Sequence, residues 1–491
     1  FAGPVNGNSF CAGSLFGCGG VEAKEGCKTP PMSYMFPGSG ASLRERAANA
    51  PGPHDAERAA REMRDLEAAM AALEEGAARE RGLVLLADAS VRHLLTAIFG
   101  NSPFLTRIIR LHPGWLPALI DTSPATALEA LIARTRDAAG LADRAGLARA
   151  LRLAKAETAL LIAMADLTAT WPLEGVTAAL TAFADATVQV SVEWLLRDAA
   201  RRGQILRAAD KVSAEGSGLA ILGMGKYGSG ELNYSSDIDL VVFYEPGQLP
   251  LKDGLDDGEF FVRLTQALVR LLQERTEDGY VFRTDLRLRP DPGGTPVAVS
   301  LPAAENYYES RGQNWERAAF IKARAVAGDF EAGARFLKLL TPYIWRKNLD
   351  FAAIDDIHSM KRQIHAVGGH GAIAVAGHNV KLGRGGIREI EFFVQTQQLI
   401  AGGRDRDLRG KQTCVMLDAL AEKKWIAPEA AAELKDAYRF LRTLEHRLQM
   451  IDDEQTHTLP ASEEGLSHIA CFMGFENSEA FLAALVGQLR C

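Results

Sequence analysis

Only eight residues separate Gly228 from Asp237, and that gap limits the folds open to the middle of this chain. The stretch 218–245 reads GLAILGMGKYGSGELNYSSDIDLVVFYE. An apolar run of strand length, Leu219 to Leu222, leads into Gly223-Met224-Gly225-Lys226-Tyr227-Gly228, which matches G-x-G-x-x-G. Glu245 follows at the distance where a dinucleotide fold holds a ribose, so an NAD(P)-dependent oxidoreductase is one reading. A parallel strand-helix-strand crossover, however, needs a connection of about a dozen residues or more. Asp237 to Tyr244 already has the pattern of the next strand. That leaves room for a short helix, roughly Gly230 to Tyr234, and none for a crossover helix.

The two aspartates that the dinucleotide reading leaves idle suggest another site. Residues two apart in a strand share a face, so Asp237 and Asp239 project together while Ile238 and Leu240 turn to a core. Neighbouring carboxylates repel, and one stays protonated unless a cation sits between them. Oxygen donors in this arrangement suit Mg²⁺ or Mn²⁺. A third acid is available in the alternating run Tyr280 to Pro290. There Val281, Arg283, Asp285, Arg287 and Arg289 fall on one face, and Phe282, Leu286 and Leu288 on the other. One acid among three arginines fits a metal beside a polyphosphate, with the acid ligating and the arginines neutralising phosphate oxygens. The bland alternative is a solvated strand face with ordinary ion pairs.

At 491 residues the chain is too long for one core, so two or three domains are expected. Residues 52–210 carry repeated helical spacing, with Trp115, Trp171 and Trp194 read as core. Residues 211–330 hold the strand-length runs and one amphipathic helix with Phe261, Leu264, Leu268 and Leu271 on a common face. Residues 331–491 are helical again. The first 51 residues are Gly-rich at their start and read as a leader, disordered or not native, with Met32 or Met35 as an alternative start. The end at Cys491, in a helix-like run without a stop signal, suggests a fragment of a longer chain. A net charge of −7 argues against a general nucleic-acid binder. No 18-residue apolar run lacks charge, so no membrane span is expected. Cys11, Cys18, Cys27, Cys414, Cys471 and Cys491 form no C-x-x-C and so no zinc-ligand spacing, and residues 28–413 contain no cysteine, which suits a reducing, cytoplasmic setting. His358, His365, His370 and His378 have no spacing that makes a metal pair.

GMGKYGSGELNYSSDIDL followed by VFRTDLRLRP resembles the nucleotidyltransferase module of the glutamine synthetase adenylyltransferase family, within the DNA polymerase beta-like nucleotidyltransferase superfamily. ENYYESRGQNWERAAFIKARAVAGD, KLGRGGIREIEFFVQTQQLIAGG and YRFLRTLEHRLQMIDDEQTHTLP are similar to further motifs of that family, in order, and the resemblance spans about 55–491. The family carries two such modules, and S-S-D-I-D, R-L-R-P and N-W-E-R-A-A-F-I-K-A-R look like the N-terminal, adenylyl-removing copy. The resemblance implies an α+β fold, mostly helical, with a small mixed-sheet nucleotidyltransferase module at 211–330 flanked by helical domains. It implies deadenylylation of glutamine synthetase by phosphorolysis, giving ADP. Adenylylation with ATP would belong to the full-length enzyme, and the PII signalling protein would be a partner.

For the site, the resemblance implies Asp237, Asp239 and Asp285 as catalytic residues holding two Mg²⁺ ions. The backbone of Gly228, Ser229 and Gly230 would cradle phosphate. The hydroxyls of Ser235 and Ser236 would assist, and Lys226 and Arg287 would neutralise charge. Lys226 and Ser235 could equally be plain surface residues. Tyr227 stands where the family pattern has Leu. In 381–391, either Arg384 or Arg388 reaches a phosphate, or Glu389 and Glu391 favour a helix N-terminus. A docking module for glutamine synthetase and PII, without catalysis, is the remaining alternative.

Overall fold

The structure is a computed structural model that describes residues 40–347 and 375–490. Cys11, Cys18, Cys27, Met32, Met35, His358, His365, His370 and Cys491 lie outside the described residues. Five strands form one small mixed sheet: β1 (Leu219–Gly223), β2 (Ile238–Tyr244), β3 (Thr284–Asp285), β4 (Ala298–Ser300) and β5 (Arg324–Gly328). β1 lies between β5 and β2 and runs antiparallel to both. The other edge of β2 takes β3 at its start and β4 at its end, both parallel.

The antiparallel pairing of β1 with β2 overturns the dinucleotide reading, because the strands of a crossover unit are parallel. The connection holds a single four-residue helix, Gly225–Gly228, earlier than the expected Gly230–Tyr234 segment. Gly225 has φ +53° and reverses the chain directly after β1, so the helical turn is complete before Gly230. The Glu245 carboxylate takes the Arg335 guanidinium at 2.7 Å.

Strand periodicity places the sheet between two apolar layers. Leu219, Ile221, Ile238, Leu240 and Val242 join a core made with the helices Arg144–Leu167, Leu173–Arg201 and Asp257–Gln273. Ala220, Leu222, Val241 and Phe243 face the opposite way, onto Tyr308, Phe320, Ala332 and Phe336. Asp237 and Asp239 have the parity of this second face. The helix Asp257–Gln273 is capped by Asp256, which accepts from the Glu259 N–H at 3.0 Å, and it buries Phe261, Leu264, Leu268 and Leu271 as expected.

The expected strand Tyr280 to Leu288 is reduced to Thr284–Asp285. Val281 and Phe282 are both buried, and both donate their N–H to the Leu272 carbonyl, at 2.9 and 3.0 Å. The end of a helix thus holds this stretch, and the alternation fails. Leu286 and Leu288 pack against different apolar clusters. Arg289 turns away from the acids to bind the carbonyls of Leu286 and Pro292 at 3.0 and 2.7 Å.

Packing begins inside the segment read as a leader: Leu43 and Ala47 are fully buried, and Arg44 pairs with Asp88 and Asp121. The first core runs without a gap from these residues into the sheet, across position 210. Trp171 and Trp194 lie within it, with Trp115 at its margin. Past 331, the helix Phe330–Leu339 still covers the sheet, with Phe336 against Phe243 at 4.6 Å between ring centroids. The helices Ile387–Ala401, Thr413–Glu422, Pro428–Asp452, Glu463–Phe472 and Ser478–Leu489 share a separate core around Leu441, Leu444, Ile469 and Phe481. Leu173–Arg201 is long and apolar enough to cross a membrane, but 78% of its apolar window is buried among the other helices.

Candidate active site

Parallel pairing of β2 with β3 sets Asp239 opposite Asp285, and the Ile238 N–H to Arg283 carbonyl bond, 2.9 Å, fixes that register. Asp237 precedes β2 on the same side. One carboxylate oxygen from each of Asp237, Asp239 and Asp285 lies within 4.8 Å of the other two, and all three residues are half-buried. Burial, then the charges of Asp237 and Asp285, push the Asp239 carboxyl up to about 7; Lys381 and Arg287 oppose the rise. Burial also acts to raise Asp285, but the Arg287 side chain and N–H outweigh it and hold that carboxyl below its ordinary value. Arg287 Nε donates to Asp285 Oδ2 at 2.8 Å, from a side chain that is 83% exposed. Gln455 Nε2 donates to Asp237 Oδ1 at 2.8 Å.

The glycine turn supports this cluster from below. The N–H groups of Gly228, Ser229 and Gly230 donate to the carbonyls of Met224, Gly225 and Tyr227 at 2.9, 3.1 and 3.2 Å. They close the turn at the C-terminal end of its helix and are committed there, so they do not form the open cradle read from the sequence. Gly228 is needed for close approach: a Cβ there would lie 2.2 Å from the Lys322 carbonyl oxygen and 2.3 Å from that of Gly223. Gly228→Ala is therefore expected to lose about 1–3 kcal/mol in urea unfolding. A loss under 0.5 kcal/mol would mean the turn can move aside. Gly225 adjoins the acids, since its Cβ would meet Asp239 Oδ2 at 2.8 Å.

The remaining polar candidates are engaged elsewhere. Lys226 Nζ pairs with the fully buried Glu445 at 3.0 Å, from a side chain that is only 13% exposed. The Ser229 hydroxyl donates to Glu231 Oε2 at 3.0 Å. Ser235 is buried; its N–H donates to Gln449 Oε1 at 2.8 Å, and its hydroxyl accepts from Arg283 at 2.7 Å. The Ser236 hydroxyl donates to the Asp237 carbonyl at 3.0 Å. Arg388 lies 3.9 Å from Glu391, and Glu389 sits in the first turn of Ile387–Ala401 and accepts from the Gly385 N–H. In that segment the cation near Asp239 is Lys381. Tyr227 is buried with the Arg324 guanidinium 5.8 Å above its ring. His378 is buried beside Gly383.

An open cleft of about 530 Å³ is lined in part by Arg275, Arg283, Asn379, Asp453, His457 and Gln455, the residue bonded to Asp237.

A family model described as glutamate-ammonia ligase adenylyltransferase matches residues 92–339, about half of the chain and the whole of this sheet. The chain belongs to the glutamate-ammonia ligase adenylyltransferase family. A second family model, described as GlnD PII-uridylyltransferase, matches residues 358–490. Among curated relatives, the bifunctional glutamine synthetase adenylyltransferase/adenylyl-removing enzyme of Rhizobium meliloti is 53% identical over 434 residues, 87% of this chain and 44% of the relative. The proteins of the same name from Mesorhizobium japonicum and Bradyrhizobium diazoefficiens are 53% and 50% identical, covering 89% and 93% of this chain and 44% and 46% of theirs. The chain thus spans less than half the length of these relatives. Relatives named as enzymes give no support to a purely docking role.

Lys381, Glu445, Gln449 and Gln455 were not singled out from the sequence. None lies in a pattern tied to the acids. The helix Pro428–Asp452 reads as amphipathic, and its second, polar face has the composition of a solvated surface. Here Arg442, Glu445 and Gln449 are fully buried against the glycine turn.

Proposed function

We propose that this chain carries an adenylyl-removing nucleotidyltransferase centre acting on adenylylated tyrosine of glutamine synthetase. The observation that carries the reading is the convergence of Asp237, Asp239 and Asp285 in a chain of this family. Orthophosphate attacks the tyrosyl-AMP phosphorus, the bond from phosphorus to the tyrosine oxygen breaks, ADP leaves, and the tyrosine oxygen regains a proton. Charge spreads over the phosphoryl oxygens, so positioning and charge neutralisation supply most of the rate.

Three hard carboxylate donors fit Mg²⁺, two ions in this reading, with Mn²⁺ as a substitute. The charge of the cluster supports the fit: Asp239 is raised by its burial first and then by Asp237 and Asp285, which Lys381 and Arg287 only partly balance. Bound there, Mg²⁺ supplies charge stabilisation for the attacking and leaving oxygens. The chain's own residues divide the remaining work. Asp237, Asp239 and Asp285 would hold the cations, while Arg287, paired with Asp285 but open to solvent, has the reach to bind a phosphoryl oxygen. Lys381 adds positive charge near Asp239.

The wider reading follows the relatives: adenylylation with ATP belongs to the full-length protein, PII regulates it, and the setting is cytoplasmic. The free thiols of Cys414 and Cys471 suit a reducing compartment. No nucleic acid or membrane has a part in it. Incubating the chain with adenylylated glutamine synthetase, orthophosphate and Mg²⁺ is expected to release ADP. No ADP, with or without uridylylated PII, sinks the assignment.

A further inference from the structure

The loop that carries the first acid is held from the far end of the chain. Four residues reach it from the helix Pro428–Asp452 and the segment after it. Arg442 Nη2 donates to the Glu231 carbonyl at 2.6 Å. Glu445 pairs with Lys226 at 3.0 Å. Gln449 Oε1 accepts from the Ser235 N–H at 2.8 Å. Gln455 Nε2 donates to Asp237 Oδ1 at 2.8 Å. Residues 442, 445 and 449 fall on one side of the helix, so a rigid element spans the loop from Lys226 to Ser235. Gln455 extends that contact to the carboxylate itself.

Gln455 is not a chance surface contact, because its own segment is fixed at both ends. Asp453 ends the helix with a left-handed backbone, φ 53° and ψ 40°, and turns the chain back toward β2. Beyond Gln455, the Val380 N–H donates to the His457 carbonyl at 2.8 Å and the Leu459 N–H to the His378 carbonyl at 2.9 Å. These two bonds tie the loop to the segment that carries Lys381. The side chain of Gln455 is therefore presented to Asp237 by anchored backbone on either side.

We propose that Gln455 is a positioning residue for the cation site, setting the orientation of the Asp237 carboxylate. The inference rests on the reading that the three aspartates bind a divalent cation. An amide is suited to this task. Its N–H fixes one carboxylate oxygen and leaves the other, and a second lone pair, free for an ion. It carries no charge, so it holds the carboxylate without competing as a counter-ion. An Arg or Lys in its place would add a fixed positive charge beside Asp237 and repel a cation bound there. Outer partners of this kind set the orientation of ligating groups, and their loss typically weakens metal affinity about 10–100-fold.

Gln455 is exposed, so its substitution leaves the core intact. Mn²⁺ titration of the whole chain, read by electron paramagnetic resonance without nucleotide or protein substrate, tests the role. Gln455→Ala and the equally long Gln455→Met, which has no donor, are expected to bind Mn²⁺ about tenfold more weakly than wild type. Their metal-free melting temperatures should match wild type, which separates orientation from folding. Binding by both variants within twofold of wild type overturns the inference alone. If wild type binds no Mn²⁺, or Asp237→Asn binds it as wild type does, the metal-centre reading falls and the inference with it.

Discussion

Asp239→Asn is expected to cut ADP release from adenylylated glutamine synthetase by roughly a thousandfold or more while making the metal-free protein more stable. Both effects follow from one carboxylate. Asp239 is central in the triad, opposite Asp285 in register and two residues from Asp237. An amide keeps its shape but loses the charge that binds a cation, and metal stabilisation of phosphoryl charge is worth several kcal/mol, at about 1.4 kcal/mol per tenfold in rate. The stability effect has the opposite sign because the native carboxyl is raised from 3.8 to about 7, by burial first and then by Asp237 and Asp285. Between those values the folded state holds a proton that the unfolded state has released. Wild-type stability therefore falls as pH rises through that window. The asparagine variant has no such loss. In a metal chelator its advantage should be small near pH 4 and grow to the order of 2–4 kcal/mol above pH 7. Adding Mg²⁺ should then stabilise wild type and leave the variant unchanged. A variant that keeps a tenth of wild-type activity, or whose stability tracks wild type across pH, would remove Asp239 from the role given to it.

What a single sequence reveals here depends on how local the physics is. The pairing of Asp237 with Asp239 follows from the two-residue period of a strand, and the apolar face of Asp257–Gln273 from the 3.6-residue period of a helix. The absence of a crossover helix follows from chain length alone. The strand through Asp285 was legible only in part. Alternating Arg and Asp do not reveal that the Val281 and Phe282 N–H groups are both taken by Leu272. Nor does the pattern show that Arg289 is spent on turn carbonyls. Lys226 and Ser235 looked like phosphate ligands because they flank a glycine turn. Their partners, Glu445 and Gln449, are more than 200 residues away in sequence. No periodicity links residues across such a distance. The polar face of Pro428–Asp452 belongs to the same class: its composition is that of a solvated surface, and only the fold makes it an interior.

That buried face supplies the second large effect. Glu445→Ala is expected to destabilise the protein by about 3–5 kcal/mol, the cost of leaving buried cations without their partner. Glu445 is fully buried, with Lys226 Nζ at 3.0 Å, His457 Nδ1 at 2.7 Å and Arg442 Nε at 3.5 Å. Burial acts to raise its carboxyl, but Lys226, His457 and Arg442 outweigh that and hold it well below 4.5. Removing the carboxylate strands Lys226, already pushed down to about 8 by its burial despite the help of Glu445. Glu445→Gln keeps the volume and some hydrogen bonding, so it should cost less than the alanine variant, and Lys226 should lose its proton at a lower pH. The double variant Lys226→Met/Glu445→Gln leaves Arg442 with its bond to the Glu231 carbonyl and removes the stranded lysine. It should recover about 0.5–3 kcal/mol over the sum of the single losses. The pH dependence carries a sign of its own. Because the folded carboxyl is depressed, wild type holds its full advantage over Glu445→Gln above about pH 4.5 and loses it as pH falls toward the depressed value. Urea unfolding of wild type, Glu445→Ala, Glu445→Gln, Lys226→Met and the double variant at pH 4 and pH 7.5 measures these stability differences. If Glu445→Ala costs less than 1 kcal/mol at pH 7.5, the contact between the helix Pro428–Asp452 and the glycine turn is not what holds the acids in place. The turn would then have to be held by the close backbone packing of Gly228 against Lys322 and Gly223 instead.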